Sequence, residues 1–271
     1  MKEVQSYNYI ETYLDELRSG GRYSFTINEL TKTFQLSDNA IKKSLQRLKQ
    51  KNKVALIRKG FYLIIPPEYS IRGILPPTLF VDNLMNFIQR NYYVGLLNAA
   101  VYYGAGHQQP QEFFIITVEP TMRSIVNDKL KINFCYKKNI NKEDITKQKT
   151  DAGYINISTP ELTALDLVFY YDRIGGFNRA VTILDEMIPS LKPDKLVTVA
   201  KSFNQIASVQ RLGFLLDIIL EQHELARPLQ EYIKTIKHFP VLLRPQKEKP
   251  SSMSSKNNWK IVQNIAVESE A

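Results

Sequence analysis

Residues 37–65 read SDNAIKKSLQRLKQKNKVALIRKGFYLII. Ser37 is a residue type that caps helix N-termini, and Ile41, Leu45 and Leu48 follow it at helical spacing as one apolar stripe. The other face carries Asn39, Lys42, Lys43, Gln46, Arg47, Lys49 and Gln50. Two short β-type runs come next, at 54–58 and 61–65, joined by Lys59-Gly60. A basic helix followed by a basic hairpin is the recognition-helix and wing half of a winged helix-turn-helix, and the partner it implies is duplex DNA.

Upstream, Val4, Tyr7, Ile10, Tyr13, Leu14 and Leu17 predict a first helix over 4–17, ended by Gly20-Gly21. Residues 23–25 fit a short strand. Thr26 and Glu29 form a T-x-x-E capping box, so a second helix is expected from Ile27 to about Thr33. Gln35-Leu36 is then the turn before Ser37. Downstream, Pro66-Pro67 stops the second hairpin strand, because proline has no N–H to give to a ladder.

The charge follows the same stretch. The 271-residue chain has a formal net charge of +9, and eight Lys/Arg against the single acid Asp38 lie between Asp38 and Gly60. That segment therefore carries +7 and the rest of the chain +2. A local patch of this kind fits a polyanionic partner better than a general basic bias does. The composition is otherwise that of a globular protein, 44% hydrophobic and 23% charged with a mean hydropathy of −0.27. No apolar run approaches the ~20 residues of a membrane span, and MKEVQSYNYI has no secretory h-region. The one cysteine, Cys135, excludes an internal disulfide framework and fits a cytoplasmic location. One cysteine and three scattered histidines match no zinc spacing, so neither a metal site nor a cofactor is expected. His107, after Gly104-Ala105-Gly106, reads as a helix-end residue.

A second body is expected over 71–245. Residues 78–90 and 93–103 read as helical, 112–118 and 130–136 as strands, and 154–157 as a third strand. The lysine-rich stretch 137–149 reads as an exposed loop. Ser158-Thr159-Pro160-Glu161 is a helix start, and helices are expected at 160–172, 177–188, 194–203, 206–221 and 224–236. The tract from Ser158 to Asp166 reads as capping rather than chemistry. Asp166 is expected to pair with a cation such as Arg211. Tyr92, Tyr93, Tyr102, Tyr103, Phe113 and Phe114 read as core. Residues 246–271 are expected to be a linker, 247–255, and a possible strand within 259–267.

This second body, taken with the first, resembles the AbiEi-type antitoxin family of transcriptional regulators. The resemblance rests on Ser158-Thr159-Pro160-Glu161-Leu162-Thr163-Ala164-Leu165-Asp166, then Gly175-Gly176 with Ala180 and Leu184, then Arg211-Leu212-Gly213-Phe214-Leu215-Leu216. The segment with Leu97, Ala99, Ala100 and Tyr103-Gly104 is also similar, and the likeness covers most of residues 5–220. Leu162 stands where the family often has arginine. The resemblance implies an autorepressor of a two-gene type IV toxin–antitoxin operon. Its neighbour would be a nucleotidyltransferase-like toxin with which it forms no stable complex. The N-terminal domain would bind DNA and the C-terminal domain would support antitoxicity.

Within the basic segment the residues divide by reach. Asn39, Lys42, Lys43 and Gln46 are types that read base edges in a major groove. Arg47 and Lys49, with Lys51 and Lys53 beyond them, are placed for phosphates, which give affinity and salt dependence without sequence choice. Arg58 and Lys59 beside Gly60 form the hairpin tip and suit a backbone or minor-groove contact. Tyr62 alternates with Phe61 and Leu63, which leaves its side open. The plain alternatives are a solvated helix face and a simple soluble turn. The candidate DNA-binding set is Ser37, Asn39, Lys42, Lys43, Gln46, Arg47, Lys49, Arg58, Lys59 and Tyr62.

No P-loop, G-x-G-x-x-G, G-x-S-x-G or H-E-x-x-H occurs, so an enzyme is not expected. The expected architecture is α+β: a winged helix-turn-helix at 1–70, then a mixed domain with a small β-sheet and a helical C-terminal half. The expected function is sequence-specific binding to repeats in the protein's own promoter, with self-association on DNA. The alternative is a protein-interaction antagonist that neutralises its toxin or the toxin's target through the C-terminal domain.

Overall fold

Thr26 starts the second helix of the chain. Its side chain accepts from Glu29 N at 3.2 Å, and the Glu29 carboxylate accepts from Thr26 N at 2.7 Å. Two of the otherwise unpaired amides at the start of α2 (Ile27–Phe34) are thereby satisfied. The helix ends at Gln35, which adopts a left-handed conformation (φ 49°) and donates its N–H to Thr31 O. The computed structural model describes residues 2–106, 110–245 and 255–269. The expected position of His107 and residues 247–254 of the expected linker lie outside the described residues.

The chain is mixed α+β and divides into two compact units, each built from several stretches of sequence. The first comprises Met1–Tyr93, Gln111–Ile140 and Lys147–Asn156, and the second Val94–Pro110, Asn141–Thr146 and Ile157–Ala271. These units interleave along the chain.

In the first unit, α1 (Lys2–Ser19), β1 (Ser24–Thr26), α2, α3 (Asp38–Gln50), β2 (Val54–Arg58) and β3 (Phe61–Ile64) follow in order. The three strands form a sheet in the order β1-β3-β2, antiparallel throughout. Ile10, Leu14, Phe25, Leu30, Ile41, Leu45, Leu48, Val54 and Ile64 make one buried core, with Tyr13 and Phe34 edge-to-face at 5.6 Å beside it. Each such aliphatic side chain contributes about 1.5–3 kcal/mol through burial. The hairpin is also fastened beyond this core, since Phe61 packs on Phe87 of α4 (Val81–Phe87) with ring centroids 5.4 Å apart.

Residues 78–90 and 93–103 depart from the expected helices. Pro77–Leu79 is a 3-10 turn, α4 is short, and Tyr92–Val94 is a wholly buried strand, β4. Leu96 then takes φ 53°, which breaks any helix before α5 (Leu97–Ala100). Six strands pair in the order β6-β7-β5-β4-β9-β8. They are β4, β5 (Phe113–Val118), β6 (Ile125–Asn127), β7 (Leu130–Lys137), β8 (Ile145–Thr150) and β9 (Gly153–Ser158). β5 and β7 are parallel from Phe113↔Ile132 to Val118↔Lys137, and β6 lies antiparallel to β7. β4 pairs parallel to β9 at Val94↔Ile157. The stretch expected as a lysine-rich loop holds β8. It is an edge strand, where exposed lysines such as Lys147 and Lys149 discourage pairing with other chains. That same lysine content hides the strand from a hydrophobicity reading.

In the second unit the helices α6 (Pro160–Phe169), α7 (Phe177–Met187), α8 (Pro193–Phe203), α9 (Ile206–Phe214) and α10 (His223–Lys234) lie close to their expected places. Thr159 caps α6 by accepting from Leu162 N, and Pro160 occupies its first turn. Glu161 is buried and accepts from Lys192 N at 3.1 Å, while the Ser158 and Thr163 hydroxyls are 2.6 Å apart. These hydrogen bonds fit the capping reading of the tract. α9 continues into a π-helical turn, Leu215–Ile219. The C-terminal segment returns as β11 (Ile261–Val262), parallel to β10 (Val241–Leu242). Trp259 ahead of it is fully buried against Gly213, where an added Cβ would fall 2.0 Å from the indole ring. Its Nε1 donates to Asp217 at 2.9 Å.

Of the six aromatic residues expected in the core, Tyr92, Tyr93, Phe113 and Phe114 are buried. Tyr103 is half-buried and donates its hydroxyl to Ser158 O at 2.6 Å, and its burial pushes the phenol pKa up. Tyr102 is 40% exposed and departs from the expectation.

Candidate nucleic-acid interface

Ser37, in extended conformation (φ −65°, ψ 147°), accepts from Ala40 N at 3.3 Å and so starts α3. Ile41, Ser44, Leu45 and Leu48 are buried. Asn39, Lys42, Lys43, Gln46, Arg47 and Lys49 are all exposed, with the capping Ser37 at the rim. The helix thus presents one continuous polar face whose basic residues follow one another along its length. Asp38 sits in the first turn, where its charge favours the positive end of the helix. Among the described residues Lys42, Lys43, Arg47 and Lys49 make no ion pair, so their charge is directed to solvent.

The hairpin adds a second basic element. Val54↔Ile64, Ala55↔Leu63, Leu56↔Tyr62 and Arg58↔Phe61 are paired, with a register shift between Leu56 and Arg58. The bulge and Gly60, at φ +85°, turn the chain so that Arg58 and Lys59 stand exposed at the tip. Among the described residues the Arg58 guanidinium meets the Met122 sulfur, at 4.0 Å.

Two further residues of the segment have partners within the fold. Lys53 forms an ion pair with Glu11, so part of the charge assigned to phosphates is neutralised by α1. Tyr62 is half-buried and stacks on Phe25 at 5.5 Å, and burial raises its phenol pKa. Its ring packs beside the core and is partly exposed. The helix and hairpin residues were marked by their spacing. The anchoring of the hairpin by Phe87 and the Lys53–Glu11 pair had no local signal, because both join segments distant in sequence.

Arg211, proposed from sequence as a partner for Asp166, donates to Leu242 O at 3.1 and 3.0 Å and to Leu243 O at 2.9 Å. Its burial lowers its pKa from the usual arginine value. Among the described residues no cluster of three His, Cys, Asp or Glu could hold a metal, and no helix is long and apolar enough to cross a membrane.

No curated protein matches the chain. The crystal structure of the RV2827C protein from Mycobacterium tuberculosis is similar in fold, with a TM-score of 0.65 at 16% identity. The match covers 95% of this chain and 92% of that one. Residues 93–218 match the family described as AbiEi antitoxin C-terminal domain. This span contains the Ser158–Asp166, Gly175-Gly176 and Arg211–Leu216 tracts, and over it the chain is similar to the AbiEi antitoxin family.

Proposed function

We propose that the protein is a DNA-binding autorepressor as well as an antitoxin. Residues 1–70 would work as a winged helix-turn-helix, with α3 in the major groove and the β2–β3 hairpin as the wing. The observation that carries this reading is the exposed face of α3, where Lys42, Lys43, Arg47 and Lys49 have no carboxylate partner among the described residues. Asn39, Lys42, Lys43 and Gln46 are the base-reading types, and Arg47, Lys49, Arg58 and Lys59 serve the phosphates. Ser37 sits at the helix N-terminus, where a hydroxyl and backbone N–H groups suit a phosphate. Tyr62, partly exposed, lies on the same hairpin.

A single recognition helix covers few base pairs, so two copies on repeated half-sites in the protein's own promoter would supply specificity. The antitoxin role would act on a nucleotidyltransferase-like toxin from the neighbouring gene without a stable complex. A toxin that co-purifies with the protein in stoichiometric amount would replace this scheme with direct neutralisation.

The test of DNA binding is fluorescence anisotropy against a duplex of the protein's own upstream region and a scrambled duplex, across salt. The expected result is tight binding to the upstream duplex that weakens steeply with salt. Equal, weak binding to both duplexes would remove autorepression and leave the basic patch as general electrostatics.

A further inference from the structure

Beside the hairpin tip the first unit forms an open cleft of about 650 Å³, lined among others by Arg58, Arg90, Thr121, Met122, Arg123 and Ser124. It contains three arginines and no carboxylate among its lining residues. The wall opposite the hairpin is the connection 119–124 between β5 and β6, and it is fixed at three points. Arg90 donates to Val118 O at 3.3 Å and to Glu119 O at 2.6 Å. The Tyr136 hydroxyl donates to Met122 O at 2.7 Å and accepts from Met122 N. Ser124 donates to the Asn133 side chain at 3.1 Å.

The hairpin is held on its own side by Phe61 against Phe87, on the helix that leads directly to Arg90. One support is packed and the other hydrogen-bonded, and both Arg58 and Arg123 line the same open space. Arg123 is exposed and has no protein partner among the described residues, and Arg58 has only the Met122 sulfur. The backbone that carries Arg123 is held by these hydrogen bonds, and the planar fork of a guanidinium matches phosphate oxygens.

We propose that this cleft is a second DNA-contacting surface, in which Arg123 and Arg58 clamp a phosphodiester of the backbone flanking the groove entered by α3. The inference rests on the DNA-binding reading above and extends it. Residues 119–124 lie inside the span matched by the antitoxin family and outside residues 1–70. The DNA footprint would then reach beyond the helix and wing into a loop that sequence assigns to the antitoxin domain. Arg90, already committed to two carbonyls, is a positioning residue for that loop.

The experiment uses the full chain and the same two labelled duplexes, with Arg123→Ala, Arg123→Glu, Arg123→Lys and Lys42→Ala/Lys43→Ala compared with wild type. Losing one phosphate contact removes about 0.9 from the slope of log K against log salt, which near physiological salt is about a five-fold loss. Arg123→Ala should show this loss equally on both duplexes, leaving their affinity ratio unchanged. Arg123→Glu should lose more, and Arg123→Lys should keep the wild-type slope. Unaltered thermal midpoints would confirm that the exposed substitutions leave the fold intact. Wild-type affinity and slope in both Arg123→Ala and Arg123→Glu would overturn the proposal, while a weakened Lys42→Ala/Lys43→Ala protein in the same series would leave the α3 reading standing. A wild-type protein that ignores its upstream duplex would remove both.

Discussion

Arg47 and Arg211 both lie on helices with a fully buried apolar stripe, α3 through Ile41, Leu45 and Leu48, α9 through Val209, Leu212 and Phe214. Their guanidinium groups end in different surroundings. Arg47 is exposed, in a row with Lys42, Lys43 and Lys49. Arg211 is largely buried and bonded to the carbonyls of Leu242 and Leu243, next to the strand pair β10–β11. The residue type is the same, but one guanidinium faces solvent and the other bonds carbonyls within the fold. A count of basic residues cannot separate these roles, whereas the partner of each cation does.

The largest expected effect lies on the α9 side. Trp259→Ala should destabilise the protein by about 3–5 kcal/mol, the usual range for emptying a buried aromatic site. Gly213→Ala should also destabilise, because its Cβ would meet the Trp259 ring at 2.0 Å. Urea unfolding reads both, and an unmoved midpoint in either would show that the C-terminal segment does not seat on α9. Arg211→Ala should cost about 1–3 kcal/mol, since buried carbonyls lose their donor. Arg47→Ala should change stability by no more than about 0.5 kcal/mol, as is usual at exposed positions. Similar losses for the two arginines would break the contrast between them.

A smaller effect belongs to the α2 cap. Thr26→Ala should cost about 1 kcal/mol in thermal or chemical unfolding. Burial alone would raise the Glu29 pKa, but hydrogen bonds from Arg22 and from Thr26 N outweigh it and hold the carboxyl below its usual range. A carboxylate depressed in the folded state contributes stability above its unfolded pKa and loses it as pH falls through the folded value. The stability gap between wild type and Glu29→Gln should therefore close on acidification. A gap that stays constant from neutral to acid pH would contradict the assigned hydrogen bonds.

The N-terminal elements were legible because their signals are local. Ser37 and Thr26 sit within three residues of the amides they cap, and the stripe Ile41/Leu45/Leu48 lies on one helix. The strand at Tyr92–Val94 was hidden, since its buried aromatic residues fit a helix equally well until Leu96 turns left-handed. β8 was hidden by the lysines that protect a sheet edge. The Trp259 slot depends on a glycine far away in sequence, which reads locally as an ordinary helix residue. Among the candidate DNA-binding residues, exposure agrees with the spacing argument for α3 and the hairpin tip. The packing of Tyr62 on Phe25 and the cleft at Arg123 required the tertiary arrangement.

The exposed face of α3 is proposed to read DNA. The measurement that tests it most directly is the affinity of Lys42→Ala/Lys43→Ala, against wild type, for the upstream and scrambled duplexes at one salt concentration. The expected result is a loss of about 1–3 kcal/mol per base contact on the upstream duplex and a smaller loss on the scrambled one, so that discrimination falls. An affinity for the upstream duplex equal to that of wild type would take α3 out of the interface.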